Sequence, residues 1–142
     1  MSLRASSGFP RNVMTGRDQS NTGAGFDRPN TTGADPNLTS GQRTTALWFN
    51  TDAFVLQPLG TFGDAGRNTV TGPGAFSWDF STIRNFRLTG SKTLQFRFEA
   101  FNFPNWPIWN DPNTTLLSPN FGRISSTRKP MRELQFGLKF IF

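Results

Sequence analysis

An all-β fold, an antiparallel meander of about four to five strands with long loops, follows from three observations on this chain of 142 residues. Apolar and polar side chains alternate over residues 134–142, with Ile141 as the one mismatch, and again over residues 94–100. A period of two is typical of a β-strand with one buried or lipid-facing side. No window places apolar residues at i, i+3, i+4 and i+7, so we predict no helix.

Residues 1–74 are expected to form a short edge strand and a long Gly- and Asn-rich loop region. The strand is placed at residues 8–15, where Pro10 restricts it to a sheet edge or a strand start. Residues 16–46 are rich in Gly, Asn, Thr, Asp and Pro and are predicted to be loop. A loop of this length is usually disordered by itself, so we expect neighbouring copies of the chain to hold it.

Two apolar groups, residues 47–49 and 53–56, interrupt this polar stretch. They form either a short strand or an apolar plug on which the loop folds back. The other apolar residues are concentrated in a few strands, so a closed globular core is not expected.

Residues 75–142 are expected to form the meander and to end in a C-terminal barrel-type strand. The predicted strands are residues 75–88, 92–103 and 131–142. Gly90 stands at the first central position of a two-residue turn, which favours a type II′ hairpin. Proline and aromatic residues dominate the connection that follows the second of these strands, so we predict a long loop there.

One face of these strands is predicted to be apolar and to meet lipid or other copies. Its members are Trp78, Phe80, Leu94, Phe96, Phe98, Ala100, Leu134, Phe136, Leu138, Phe140 and Phe142. The opposite face is predicted to carry Gln95, Arg97, Glu99, Gln135 and Lys139. A slip of one residue in register would exchange the two sets. Arg97 and Glu99 lie two residues apart on one face, so we expect an ion pair in the barrel lumen or across two strands.

The length of the strands and the asymmetry of the connections indicate a partial outer-membrane-type β-barrel. About ten residues suffice for a tilted strand to cross a bilayer, and short turns at one end with long loops at the other are typical of such barrels. Four or five strands cannot close a barrel, since bacterial barrels begin at about eight. The sheet must therefore be completed by the missing part of a parent barrel or by other copies.

The chain has no run of 18 apolar residues, so no transmembrane helix is expected. The first eight residues lack an apolar segment, so no signal peptide is expected. Together these features suggest a processed piece or a segment of a longer chain.

Enzymatic chemistry is not expected. The chain has neither His nor Cys, which removes the usual general base, the thiolate nucleophile and the common zinc ligands. The loop aspartates lack the spacing of a calcium loop, and no Lys-Ser/Thr follows the loop glycines Gly60, Gly63 and Gly66 as a phosphate-binding loop would need. We therefore predict no catalytic residue, cofactor or metal.

The net charge of +6 leaves two alternatives for the basic residues. They form a solvated surface and a polar barrel lumen, or they attract phosphate on nucleic acid or lipopolysaccharide. A single-stranded nucleic-acid platform needs cations and aromatic rings on the same side. Arg97 lies on the face opposite Phe96 and Phe98, so no nucleic acid is expected.

The sequence resembles the C-terminal end of an Oar-like TonB-dependent outer-membrane receptor of the acidobacterial type. The blocks that carry the resemblance are Ser7-Gly8-Phe9-Pro10, Asp27-Arg28-Pro29-Asn30, Trp48-Phe49-Asn50 with Ala53-Phe54, Gly63-Asp64-Ala65-Gly66-Arg67-Asn68, Gly72-Pro73-Gly74, Asp79, Leu94-Gln95-Phe96-Arg97-Phe98-Glu99-Ala100-Phe101-Asn102 and Phe121-Gly122-Arg123-Ile124. Gln135, Gly137, Phe140 and Phe142 also resemble the C-terminal signal read by the barrel-assembly machinery. The plug domain, the TonB-contacting segment and most of the barrel of such receptors are absent.

The resemblance implies a location in the bacterial outer membrane, or outside the cell for an assembly. The function we predict is non-enzymatic: a structural piece of receptor sequence that assembles through its strand edges into an oligomer, tube or filament. The first alternative is the C-terminal part of an intact uptake receptor. The second is a basic protein that binds single-stranded nucleic acid.

Overall fold

The computed structural model describes residues 1–142 and is all-β in its regular structure, as predicted. The strands are β1 (Ser2–Ser6), β2 (Pro10–Arg11), β3 (Asn30–Thr31), β4 (Phe54–Val55), β5 (Val70–Thr71), β6 (Ala75–Arg87), β7 (Thr93–Phe101) and β8 (Glu133–Ile141). A single 3₁₀ turn spans Thr51–Ala53. The Asn50 side chain caps this turn by accepting a hydrogen bond from the Asp52 backbone N–H.

The chain divides into two compact units. The sheet unit comprises Met1–Ser6, Gly74–Ile108 and Thr127–Phe142, and the loop unit comprises Ser7–Pro73 and Trp109–Ser126. The main segment of the sheet unit begins at Gly74, and the sequence had placed the start of the meander at residue 75. Two segments differ from that expectation, because the first six residues belong to the sheet and residues 109–126 belong to the loop unit.

The sheet unit is a four-stranded antiparallel sheet in the order β1-β6-β7-β8. The ladder between β7 and β8 runs without interruption from Thr93 opposite Ile141 to Phe101 opposite Glu133. The sheet is open: no strand pairs with the outer side of β1 or of β8. An open antiparallel meander with two free edges confirms the predicted partial barrel.

The first strand of the sheet is not the one predicted from the sequence. β1 at Ser2–Ser6 pairs with β6, placing Leu3 opposite Trp78. Within residues 8–15 only β2 is a strand, and it pairs with β5 in the loop unit. The prediction was wrong because β1 is five residues long with only Leu3 and Ala5 apolar. Two alternating apolar residues are too few to predict a strand, and its pairing with β6 defines it.

The hairpin between β6 and β7 also differs in its turn. Arg87 pairs with Thr93, and the Leu88 backbone N–H donates to the Lys92 carbonyl oxygen at 2.9 Å. Three residues therefore lie beyond the last bonded pair, rather than the two of a type II′ turn. Gly90 is central and has φ +72°, a conformation that glycine adopts without steric cost.

The loop unit has a packed core of its own, contrary to expectation. Its buried apolar residues are Val13, Phe49, Ala53, Phe54, Ala65 and Val70. Phe49, Phe54 and Phe121 meet edge to face, with ring centroids 5.2–6.3 Å apart. The two apolar groups of the sequence therefore act as the plug, and Phe54 is also part of the short strand β4.

Contacts inside the chain also hold the loop at residues 16–46, for which the sequence had predicted support from neighbouring copies. The Thr15 backbone N–H donates to the Asp27 carbonyl oxygen at 2.7 Å. The Asp27 carboxylate accepts hydrogen bonds from the Ser20 backbone N–H and hydroxyl at 2.6 and 3.0 Å. Polar side chains thus replace regular ladders in satisfying the loop backbone.

Gly8 marks a close backbone approach in the loop unit. A Cβ atom at this position would collide with the Gly72 carbonyl oxygen. The two segments are held there by the Gly72 backbone N–H, which donates to the Phe9 carbonyl oxygen at 2.9 Å. Only glycine leaves room for this contact.

Candidate functional site

The apolar face of the sheet unit is continuous across β6, β7 and β8. The register places Phe98 opposite both Thr82 and Phe136, and Leu94 opposite both Phe86 and Phe140. All eleven residues predicted for this face share one side of the sheet or its C-terminal continuation. β1 adds Leu3 and Ala5, which the sequence did not point out.

Aromatic rings form a row across this face. Successive ring centroids are 5.2 Å apart for Trp78 and Phe103, 6.0 Å for Phe103 and Phe80, 6.2 Å for Phe80 and Phe98, and 5.1 Å for Phe98 and Phe136. These spacings are those of favourable aromatic pairs. The row therefore links three strands through side chains as well as through backbone hydrogen bonds.

Much of the apolar face is uncovered. Phe136 and Leu138 are 70% and 73% exposed, and every residue of β8 is exposed. A contiguous apolar surface of this kind marks a binding or membrane interface. β8 has nine residues, which is the length a tilted strand needs to cross a bilayer.

The opposite face carries the polar and charged residues. Arg97 donates to the Glu99 carboxylate at 2.6 Å, which makes the predicted ion pair along one strand instead of across two. Gln95 donates to Asn85 at 2.9 Å across the β6–β7 ladder. Both contacts lie between residues of the polar face itself.

Both long connections leave the sheet at the same end. The connections from β1 to β6 and from β7 to β8 are both long, and they leave the end at which Ser6 faces Ala75 and Phe101 faces Glu133. The short hairpin around Gly90 and the C-terminal Phe142 lie at the other end. This arrangement reproduces the asymmetry of outer-membrane barrels.

The turn after β7 is held by two residues that the sequence did not single out for this purpose. Asn102 is buried with φ +50°, and its side chain donates to the Trp106 carbonyl oxygen at 2.8 Å and accepts from the Trp106 N–H at 3.2 Å. The Asp79 carboxylate accepts from the Asn102 backbone N–H at 3.0 Å. Asn tolerates the left-handed conformation better than most residues, so Asn102 was the one sequence feature that could have predicted this turn.

The residues that resemble an assembly signal lie on β8 and just after it. Gln135 is opposite Glu99 and Gly137 is opposite Arg97, while Phe140 is on the apolar face. Phe142 is 90% exposed, with its ring centroid 5.9 Å from that of Phe140. A Cβ atom at position 137 would meet the Arg97 Cβ at an ordinary 3.6 Å, so packing within the chain does not require glycine there.

The loop unit contains an open cleft of about 430 Å³. It is lined by Asn12, Met14, Phe26, Asp27, Arg28, Phe62, Gly63 and Arg67. Gly60, Gly63 and Gly66 lie in loops, and a Cβ atom at Gly63 would collide with the Arg28 carbonyl oxygen. No three His, Cys, Asp or Glu side chains come together as a metal site would require. No helix has the length and apolar character needed to span a membrane.

Comparison with known families decides the class of protein. The family model described as an outer membrane beta barrel domain matches residues 2–135. The chain belongs to this family of outer-membrane β-barrel domains. The match includes β1, β6 and β7 and the first residues of β8. Neither the curated proteins nor the solved structures contain a match.

Membership of this family agrees with the geometry of the barrel domain and indicates the bacterial outer membrane as its location. Nine-residue strands, one apolar face and long connections at one end are the features that such a domain needs.

Proposed function

We propose that this protein is a non-enzymatic part of an outer-membrane barrel wall, from the C-terminal end of a TonB-dependent uptake receptor. The observation that carries the proposal is the open four-stranded sheet, whose apolar face stays exposed along the whole of β8. The sequence blocks of the receptor resemblance support the receptor type. The C-terminal residues Gln135, Gly137, Phe140 and Phe142 would present the β8 strand to the barrel-assembly machinery.

The orientation of this wall follows from its connections. Short turns of outer-membrane barrels lie on the periplasmic side and long loops on the outer side. The hairpin at Gly90 and the C-terminus would therefore lie in the periplasm. The loop unit, built from the long connections, would form an extracellular module.

Limited proteolysis of the full chain in phospholipid vesicles tests this role. Trypsin is expected to cut after Arg67 and Arg123, which are exposed in the loop unit. Cleavage after Arg97 and Lys139 should be slower by at least tenfold, because these residues lie in membrane-spanning strands. The same chain in urea serves as the control and should be cut at all four sites. Equal cleavage rates in vesicles would contradict the proposal.

Self-assembly of the chain is a second candidate, and the directions of the two edge strands favour it. With four strands in antiparallel order, β1 and β8 run in opposite directions. β8 of one copy can therefore continue the antiparallel sheet at β1 of the next. Two copies would supply eight strands, which is about the minimum for a barrel. A rotation that does not close would give a tube or filament.

Mass spectrometry and electron microscopy separate the two candidates. The receptor role predicts that the protein isolated from cells contains peptides joined upstream of Met1, including a plug domain. Self-assembly predicts the 142-residue chain alone, in rings or filaments. A stable soluble monomer of the isolated chain would refute the assembly candidate.

A further inference from the structure

A single charged side chain lies on the apolar face of the sheet. The four strands carry eight charged residues: Arg4, Asp79, Arg84, Arg87, Arg97, Glu99, Glu133 and Lys139. The register places seven of them on the polar face, and Arg84 is the exception. The sequence left the side on which Arg84 lies unresolved, because Thr82, Ile83 and Arg84 interrupt the alternation of β6.

Arg84 has no anionic partner in the chain. It lies opposite Phe96, and Phe96 lies opposite Leu138. All three carboxylates of the strands, those of Asp79, Glu99 and Glu133, are on the other face. Arg84 is exposed and makes neither of the two ion pairs. A cation among apolar side chains requires an external counter-charge.

The position of Arg84 along the strand indicates where that counter-charge lies. Arg84 is three residues before Arg87, whose pairing with Thr93 is the last of the β6–β7 ladder at the short-turn end. Three residues span about 10 Å along a strand. A tilt of about 45° reduces this to roughly 7 Å of membrane depth. A long arginine side chain covers such a depth by snorkelling, which brings the guanidinium to the headgroup level.

We propose that Arg84 binds the phosphate group of a phospholipid in the leaflet on the short-turn side. Guanidinium and phosphate form paired, charge-assisted hydrogen bonds, and no other group on this face competes for the cation. Phe86 and Phe96 would contact the acyl chains beside the bound headgroup. This inference rests on the proposed function, since it requires the apolar face to meet lipid.

A lipid titration tests the inference on the full chain. The chain is folded in a maltoside detergent, which has no phosphate, and the ¹⁵N–Hε signal of Arg84 is followed by NMR. Short-chain phosphatidylglycerol is added to one sample and inorganic phosphate to another at equal concentration. The lipid should shift and saturate the Arg84 signal, whereas inorganic phosphate should leave it nearly unchanged.

Matched variants complete the test. Arg84→Gln should weaken lipid retention in native mass spectrometry by about tenfold, because a neutral side chain loses the charge-assisted pair. Arg84→Lys keeps the charge but not the paired hydrogen bonds, so it should weaken retention less than Arg84→Gln. Arg87→Gln removes a charge from the polar face of the same strand and should have no effect.

Three results would overturn the inference. Equal shifts with inorganic phosphate would show that no lipid is needed. An Arg84 signal that responds to protein concentration but not to lipid would indicate a carboxylate of an adjacent strand as its partner. Equal losses of lipid retention in the Arg84 and Arg87 variants would show that lipid binding does not depend on the face of the sheet on which the charge lies. None of these results would change the protease protection expected for the barrel wall. The lipid contact of Arg84 can therefore be refuted without refuting the proposed function.

Discussion

Exchanging a residue for aspartate on either face of β7 should have very different effects on stability. Phe98 and Gln95 are three residues apart on the same strand and lie on opposite faces. The substitutions Phe98→Asp and Gln95→Asp introduce the same side chain, so their difference reports the environment of each face.

The expected cost of Phe98→Asp follows from the contacts of its ring. The rings of Phe80 and Phe136 lie 6.2 and 5.1 Å from that of Phe98. Losing two aromatic pairs costs about 1–3 kcal/mol. A carboxylate on the lipid face near the middle of a strand adds up to about 2 kcal/mol. The sum lies between about 1 and 5 kcal/mol, with a central value of about 3 kcal/mol.

Gln95→Asp should cost far less. It removes a hydrogen bond of 2.9 Å to Asn85, worth about 1 kcal/mol. The new carboxylate would face Lys139 across the ladder, which offsets part of this by about 0.5 kcal/mol. The two variants should therefore differ by 2–3 kcal/mol, or a factor on the order of 100 in the unfolding equilibrium.

Urea unfolding of both variants in vesicles, followed by tryptophan fluorescence, measures this difference. The wild-type chain is the reference, and far-UV circular dichroism checks that each variant keeps its β structure before unfolding. Free energies of unfolding within about 0.5 kcal/mol of each other, on the scale of ordinary surface substitutions, would refute the assignment of the two faces.

Three further predictions concern the loop unit. Phe49→Ala should lower the free energy of unfolding of this unit by about 3–5 kcal/mol, because the ring is buried in its core. Leu59→Ala, at a residue 76% exposed, should change it by less than about 0.5 kcal/mol. Thermal unfolding of both variants measures these changes, and equal effects would exclude the proposed core. Gly8→Ala should destabilise the unit, because its Cβ would collide with the Gly72 carbonyl oxygen. A Cβ at Gly41 meets no atom within 4 Å, so Gly41→Ala should be neutral or slightly stabilising. Comparable melting temperatures for these two variants would contradict the close approach of Gly8 and Gly72. Hydrogen bonds from backbone N–H groups, above all that of Gly23, lower the pKa of Asp18 below its ordinary value of 3.8. The contribution of Asp18 to loop order should therefore be complete above pH 3.8 and be lost as the pH falls through the pKa of the folded state. The Gly23 amide shift in an NMR pH titration measures this, and a midpoint above 3.8 would show that folding raises the pKa instead of lowering it.

The alternation of β7 and β8 was enough to predict their faces, and the structure agrees at each position. This is because side-chain direction in a strand is a local property: successive residues point to opposite sides whatever the partner strand is. Asp79 and Asn102 show the limit of such reasoning. Their hydrogen bond joins residues 23 positions apart, and neither belongs to a periodic pattern that would pair them.

The sequence by itself determined the all-β class, the strands β6, β7 and β8 and the two faces they present. This is because a period of two can be recognised from neighbouring residues alone. Only the tertiary structure decided that β1 is the fourth strand of the sheet. The pairing of Leu3 with Trp78 joins residues 75 positions apart and depends on backbone hydrogen bonds, which the side chains do not reveal. The tertiary structure also decided that the loop region has a core, because Val13, Phe49 and Val70 come from separate segments that only a folded chain brings into contact. Local periodicity therefore determines which way a strand faces, while long-range pairing determines what it faces.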